Sequence, residues 1–167
     1  RVSEEAYFRV IEHKTASLFA ACAELGALSA NADADYVKRA KRFGELVGIC
    51  FQIRDDIFDY FADPSIGKPT GNDMAEGKLT LPVIYALEHT DREDVHEWAA
   101  RVKRGEATAE EIAQLVEFTK QSGGIEYAEQ TMQRLHGEAA ELLNAWTNEA
   151  VRDALKGYID YVVERKF

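Results

Sequence analysis

Gln52, Asp55, Asp56 and Asp59 crowd into the short stretch FQIRDDIFDY. A helix turns once in about 3.6 residues, so positions three, four and seven apart share a face. On that spacing Gln52, Asp55 and Asp59 make one stripe and Asp56 flanks it. The rest of this helix surface is Leu46, Val47, Cys50, Phe51, Ile53, Ile57, Phe58, Tyr60 and Phe61. Such a helix, apolar nearly all round, is expected to be buried, with its acidic stripe facing an interior cavity. Buried carboxylates must be protonated, paired or metal-bound. Asp55 and Asp59, one turn apart, can turn hard oxygens towards a common point. Mg²⁺ suits that arrangement, because it takes one or two carboxylates and fills its octahedron with waters and phosphate oxygens.

A solvated acidic face is the plainer reading, and the DDxxD spacing alone would not exclude it. The apolar flanks disfavour it, as does the loop that follows, which supplies Lys68 and Lys78 as partners for phosphate oxygens. Gly48, one turn before Gln52 on the same line, leaves room for a ligand or for another backbone. Lys14 and Thr15 are a second anomaly, mid-helix between Ile11 and Leu18 among Ala16, Ser17, Ala20 and Ala21. Lys14 either snorkels to water or projects into the cavity that the aspartates line, and periodicity does not separate the two.

The elements that must position these residues read almost entirely as helix. A first helix is expected over about residues 4–30, with Tyr7, Ile11, Leu18, Cys22 and Leu25 along one face. After the polar turn SANADAD, Asp33 or Asp35 caps a second helix running to about Phe61. Residues 62–78 hold Pro64, Gly67, Pro69, Gly71 and Gly77 and read as a long loop, of a length that is usually functional or disordered. Thr80 starts a third helix, with Pro82 in its first turn. Another covers Arg92 to Arg104. Thr108 and Glu111 form a capping box opening the next, which Gly123 and Gly124 close. Helices over 125–146 and 148–166 complete an all-α bundle of six or seven helices.

The 167 residues suit one compact domain, and the net charge of -10 opposes binding to nucleic acid or anionic membranes. No apolar run approaches the roughly 20 residues that span a bilayer. Cys22 and Cys50, both on apolar faces, read as reduced core thiols of a cytoplasmic protein. His13, His89, His96 and His136 show no ligand spacing and read as surface residues. The chain starts at Arg1 inside a helical pattern, as expected of a piece of a longer protein.

KTASLFAACAELGA, GICFQIRDDIFDYFAD, GKPTGNDMAEGKLTLPVIYAL and SGGIEYAEQTMQRL occur in that order. Together they resemble the trans-type isoprenyl (polyprenyl) diphosphate synthases over nearly the whole chain. The resemblance implies a helical bundle around a central cavity, the isoprenoid synthase fold. It implies Mg²⁺ as cofactor, allylic diphosphate and isopentenyl diphosphate as substrates, and a homodimer in the intact enzyme. Asp55, Asp56 and Asp59 resemble the family's second aspartate-rich motif, with Asp55 as direct metal ligand and the others acting directly or through water. Lys14 resembles the lysine that contacts the allylic diphosphate, and Thr15 and Gln52 the residues lining the reacting carbon. Lys68 and Lys78 match the loop lysines that hold the diphosphate, and Phe51 matches an apolar wall near the isopentenyl substrate. Arg165 and Lys166 resemble a basic C-terminus of some members, or simply complement a helix end.

One departure stands out. The family's first aspartate-rich motif is supplied by neither NADAD nor DRED. The chain therefore resembles the C-terminal portion of such an enzyme, carrying half of the metal site, and by itself is expected to be inactive. Two alternatives differ in class: a related class I terpene synthase, and a non-catalytic subunit that partners an active synthase. The KT motif and the GKPTGND loop argue against the first, and the retained set Lys14, Gln52, Asp55, Asp56, Asp59 and Lys68 against the second.

Overall fold

The structure is a computed structural model that describes residues 2–62 and 70–166; Lys68 lies outside the described residues. Every regular element among the described residues is helical. In chain order these are α1 (Glu4–Ile11), a π-helical turn (Glu12–Ala16), α2 (Ser17–Ser29), α3 (Ala34–Phe58) and the short α4 (Asn72–Ala75). Then come α5 (Leu81–Glu88), α6 (Glu93–Arg104), α7 (Ala109–Gln121), α8 (Gly124–Leu143) and α9 (Glu149–Glu164). The count exceeds six or seven because the first expected helix is divided by the π turn and the expected loop contains α4.

Local chemistry sets the ends. Of the two candidate caps for α3, Asp33 is the one used: its Oδ1 accepts the Tyr36 N–H at 2.8 Å. Thr108 and Glu111 satisfy each other's backbone N–H groups reciprocally, at 3.2 and 2.7 Å, and open α7. Asn148 Oδ1 accepts the Val151 N–H at 3.1 Å and opens α9. Past α7, Gly123 takes a φ of 76°, a left-handed conformation that ends the helix at little cost. α3 stops at Phe58 rather than Phe61. There the Tyr60 and Phe61 N–H groups donate to carbonyls three residues back, a tightened final turn.

The chain divides into two compact units. One comprises the residues through Tyr7 with Asp55–Gln130, the other Phe8–Arg54 with Thr131–Lys166. In the first, α5 and α6 pack on α7, and α4 meets both α6 and α7. Leu81, Ile84, Val95, Val102 and Leu115 are its fully buried centre. In the second, Leu46, Ile53, Met132, Ile159 and Val162 are fully buried, and Trp146 lies against Tyr36 and Phe43. Gly44 and Gly48, one turn apart on α3, make close packing possible. A Cβ would stand 2.5 Å from the Phe19 carbonyl oxygen at Gly44 and 2.6 Å from Ala16 Cα at Gly48. The space at Gly48 is therefore taken by another backbone.

Two expectations need correction. Cys50 is a core thiol, pushed up to about 12 by burial and, less, by the Glu138 charge, but Cys22 is exposed. Its face of α2 is apolar yet uncovered, with Leu18 and Leu25 67% and 64% exposed. His136 is not a surface residue but half-buried, with Nε2 2.6 Å from Asp160 Oδ1. No helix among the described residues is long and apolar enough to cross a membrane.

Candidate functional site

In the first unit the acidic motif occupies the end of α3 and the turn beyond it. Asp55 is half-buried, whereas Asp56 and Asp59 are only 4% and 5% exposed. The two buried carboxylates are held by protein donors. Tyr7, arriving on α1, donates its phenol O–H to Asp56 Oδ2 at 2.6 Å. Burial first, then the Asp56 charge and hydrogen bond, push the Tyr7 phenol well above its ordinary range, so it remains a donor.

Asp59 lies just past the helix and receives the returning chain. Its Oδ1 accepts the Asn72 N–H at 3.2 Å and the Asn72 side-chain N–H at 3.1 Å. Its Oδ2 accepts the Asp73 N–H at 2.9 Å, and its backbone carbonyl accepts the Gly71 N–H at 2.8 Å. Gly71, with a φ of 76°, makes the turn that presents these donors. Below the turn the Tyr60 hydroxyl lies 3.3 Å from Thr80 Oγ1, both buried, and burial raises the Tyr60 phenol above its usual range.

Lys78 is exposed and in contact with carboxylates. Its Nζ pairs with Glu76 and lies 3.8 Å from Asp73 Oδ1, while its N–H donates to the Asp73 carbonyl at 2.8 Å. The Glu76 hydrogen bond, ahead of its charge and that of Asp73, raises the Lys78 ammonium above its ordinary value. Lys78 thus carries its charge on a tether of acids.

The second unit contains Lys14, Thr15, Phe51 and Gln52. Lys14 and Thr15 fall inside the π-helical turn, a backbone form that occurs mostly as single turns within α-helices, frequently at functional sites. Lys14 is exposed on this turn. Thr15 Oγ1 donates to Gln52 Oε1 at 2.8 Å, which ties the Gln52 amide to the π turn. Phe51 lies 5.4 Å from Phe19, ring centre to ring centre, and carries the Arg165 guanidinium 4.1 Å above its own. Arg165 also donates to the Phe51 carbonyl at 3.0 Å and its carbonyl accepts from Arg54 Nε at 3.0 Å. Arg165 therefore fastens the chain end to α3.

Tyr7, Asn72, Asp73 and Arg54 were missed as partners of the candidate residues. Tyr7 reads in sequence as one more member of an apolar stripe. The Gly-Asn-Asp run at 71–73 was the available sign, being a turn that can present N–H groups to an acid.

Among the described residues no three His, Cys, Asp or Glu side chains are grouped to hold a metal ion. The donor set nevertheless fits a hard cation. It consists of carboxylates without nitrogen or sulfur ligands, and Mg²⁺ asks the protein for only one or two of them.

A family model described as polyprenyl synthetase matches residues 1–119. The short chain isoprenyl diphosphate synthase of Methanothermobacter thermautotrophicus is 34% identical over 166 residues, 99% of this chain and 50% of that protein. The crystal structure of a geranylgeranyl pyrophosphate synthase from Bacteroides thetaiotaomicron superposes with a TM-score of 0.92 at 52% identity, over 98% of this chain and 53% of that one. A polyprenyl synthase from Caulobacter crescentus, solved in complex with calcium and isoprenyl diphosphate, has a TM-score of 0.88 at 30% identity, over 100% and 51%. The chain thus spans about half the length of the relatives it matches.

Proposed function

Because the chain belongs to the polyprenyl synthetase family, we propose that it carries catalytic residues of a trans-prenyltransferase of isoprenoid biosynthesis. In that reaction the allylic C–O bond breaks and the diphosphate departs as pyrophosphate. The allylic carbon bonds to the double bond of isopentenyl diphosphate, and a proton is lost. The observation that carries this reading is the acidic turn at the end of α3, where Asp56 and Asp59 are buried yet held as hydrogen-bond acceptors.

Mg²⁺, bound by Asp55 with Asp56 and Asp59 assisting directly or through water, would supply Lewis-acid help to the departing diphosphate. The remaining roles belong to the chain's own groups. Lys14, Lys68 and Lys78 place cationic donors against diphosphate oxygens, and such fixed charge is worth most in a water-poor site. Thr15 orients Gln52 beside the reacting carbon. Phe51 gives the isopentenyl substrate an apolar wall and excludes water there. No protein nucleophile is required. The intact enzyme is read as a cytoplasmic homodimer.

The test is Asp55→Ala in a protein of full family length carrying this chain. Mg²⁺-dependent condensation should fall on the order of 100-fold or more, with little change in melting temperature. Turnover near that of the unsubstituted protein would overturn the assignment.

A further inference from the structure

Tyr7 and Asp56 stand 49 positions apart in sequence and meet in the interior at 2.6 Å. Tyr7 is 8% exposed and Asp56 4%, so water competes little for either group. The separation is short for an O–H donor and falls in the range of bonds to an ionised acceptor. Packing does not account for the hydroxyl, since phenylalanine would fill the same volume. What the oxygen adds is a fixed direction for the Asp56 carboxylate, next in sequence to Asp55. Groups that orient metal-binding side chains in this way commonly matter nearly as much as the ligands themselves.

Resting on the function proposed above, we propose that Tyr7 is a positioning residue: its O–H fixes the Asp56 carboxylate and thereby the acidic turn in the form that receives a divalent cation. Tyr7 itself touches neither metal nor substrate.

The experiment uses Mn²⁺ with pyrophosphate as the probe and the 167-residue chain as the protein, reading free Mn²⁺ by electron paramagnetic resonance. Tyr7→Phe should weaken Mn²⁺ binding about 10-fold or more. Asp56→Asn should weaken it too. In the Asp56→Asn background Tyr7→Phe should add little, because two residues acting through one contact are not additive. A thermal melt of each variant shows whether it is folded at the assay temperature, and the Mn²⁺ comparison is made there. Unchanged Mn²⁺ affinity in a folded Tyr7→Phe protein overturns the inference while leaving the function reading intact. So does an undiminished effect of Tyr7→Phe in the Asp56→Asn background, which would mean that Tyr7 acts through something else. If the unsubstituted chain binds no Mn²⁺ with pyrophosphate, the function reading for this acidic turn fails and the inference falls with it.

Discussion

Removing the Asp59 carboxylate should unfasten the chain where it returns to α3, whether or not a metal is present. In Asp59→Ala three N–H donors lose their acceptor: the Asn72 backbone, the Asn72 side chain and the Asp73 backbone. Hydrogen bonds to a charged group contribute about 1.5–3 kcal/mol each. Asn72 and Asp73 are half-buried, so water recovers part of the loss. The backbone bond from Gly71 to the Asp59 carbonyl is untouched by the substitution. A net cost of about 3 kcal/mol follows. For a protein of this size each kcal/mol shifts the melting temperature about 2–4 °C, so a fall of about 6–12 °C is expected. Far-UV circular dichroism in the presence of a chelator measures it. Asn72→Ala, which removes one of the three donors, should cost about 1 kcal/mol. Asp55→Ala, at a half-exposed position, should melt close to the unsubstituted chain. If Asp59→Ala also melts within about 2 °C of it, the carboxylate is not holding the turn, and the account of Asp59 fails.

Iodoacetamide near pH 8 should label Cys22 in the folded chain but leave Cys50 unmodified until denaturant is added. Burial lifts the Cys50 thiol to about 12, so thiolate is scarce there at that pH, and labelling of both in the native protein would refute it. Gly48→Ala should destabilise by about 1–3 kcal/mol through its contact with Ala16, whereas Gly26→Ala, with open space around it inside α2, should stabilise by about 0.5–1 kcal/mol; equal melting temperatures would contradict the packing described. The 167-residue chain alone should give no prenyl product from farnesyl and isopentenyl diphosphates with Mg²⁺, and robust elongation would show that one acidic turn suffices. It should also self-associate through the exposed Leu18 and Leu25, and Leu18→Glu with Leu25→Glu should shift its sedimentation towards the monomer.

What could be read from the sequence follows the range of each interaction. The capping box at Thr108 and Glu111 and the Asp33 cap are contacts over three residues, set by backbone geometry that any helix start shares. The acidic stripe at 52, 55 and 59 is likewise a consequence of helical periodicity, though α3 ends one residue before Asp59. The ordered motifs were legible as a family, which the comparisons bear out. Periodicity names a face but not what covers it. Cys22 and Cys50 lie on equally apolar stripes, and only one is buried. The Tyr7 and Asp56 contact joins two elements at a sequence distance where no local rule operates. The π turn at Glu12–Ala16 was not legible either: Lys14 and Thr15 stand out as polar residues mid-helix, but their types do not separate a π turn from a continuous α-helix.

The three aspartates look equivalent in the sequence, and their surroundings make them different. A carboxylate offers about four lone-pair positions in all. At Asp59, three donors from Asn72 and Asp73 occupy much of that capacity, leaving little for direct coordination. Asp56 gives one oxygen to Tyr7 and is buried with it. Asp55 keeps the most access to solvent and so to an arriving hydrated cation. An acidic turn that had to order itself only on binding metal would lose affinity to that ordering. Here the ordering is supplied by α1 on one side and by the Gly71–Asp73 turn on the other. That division is why Asp55 and Asp59 variants should fail in different assays, the first in turnover and the second in stability.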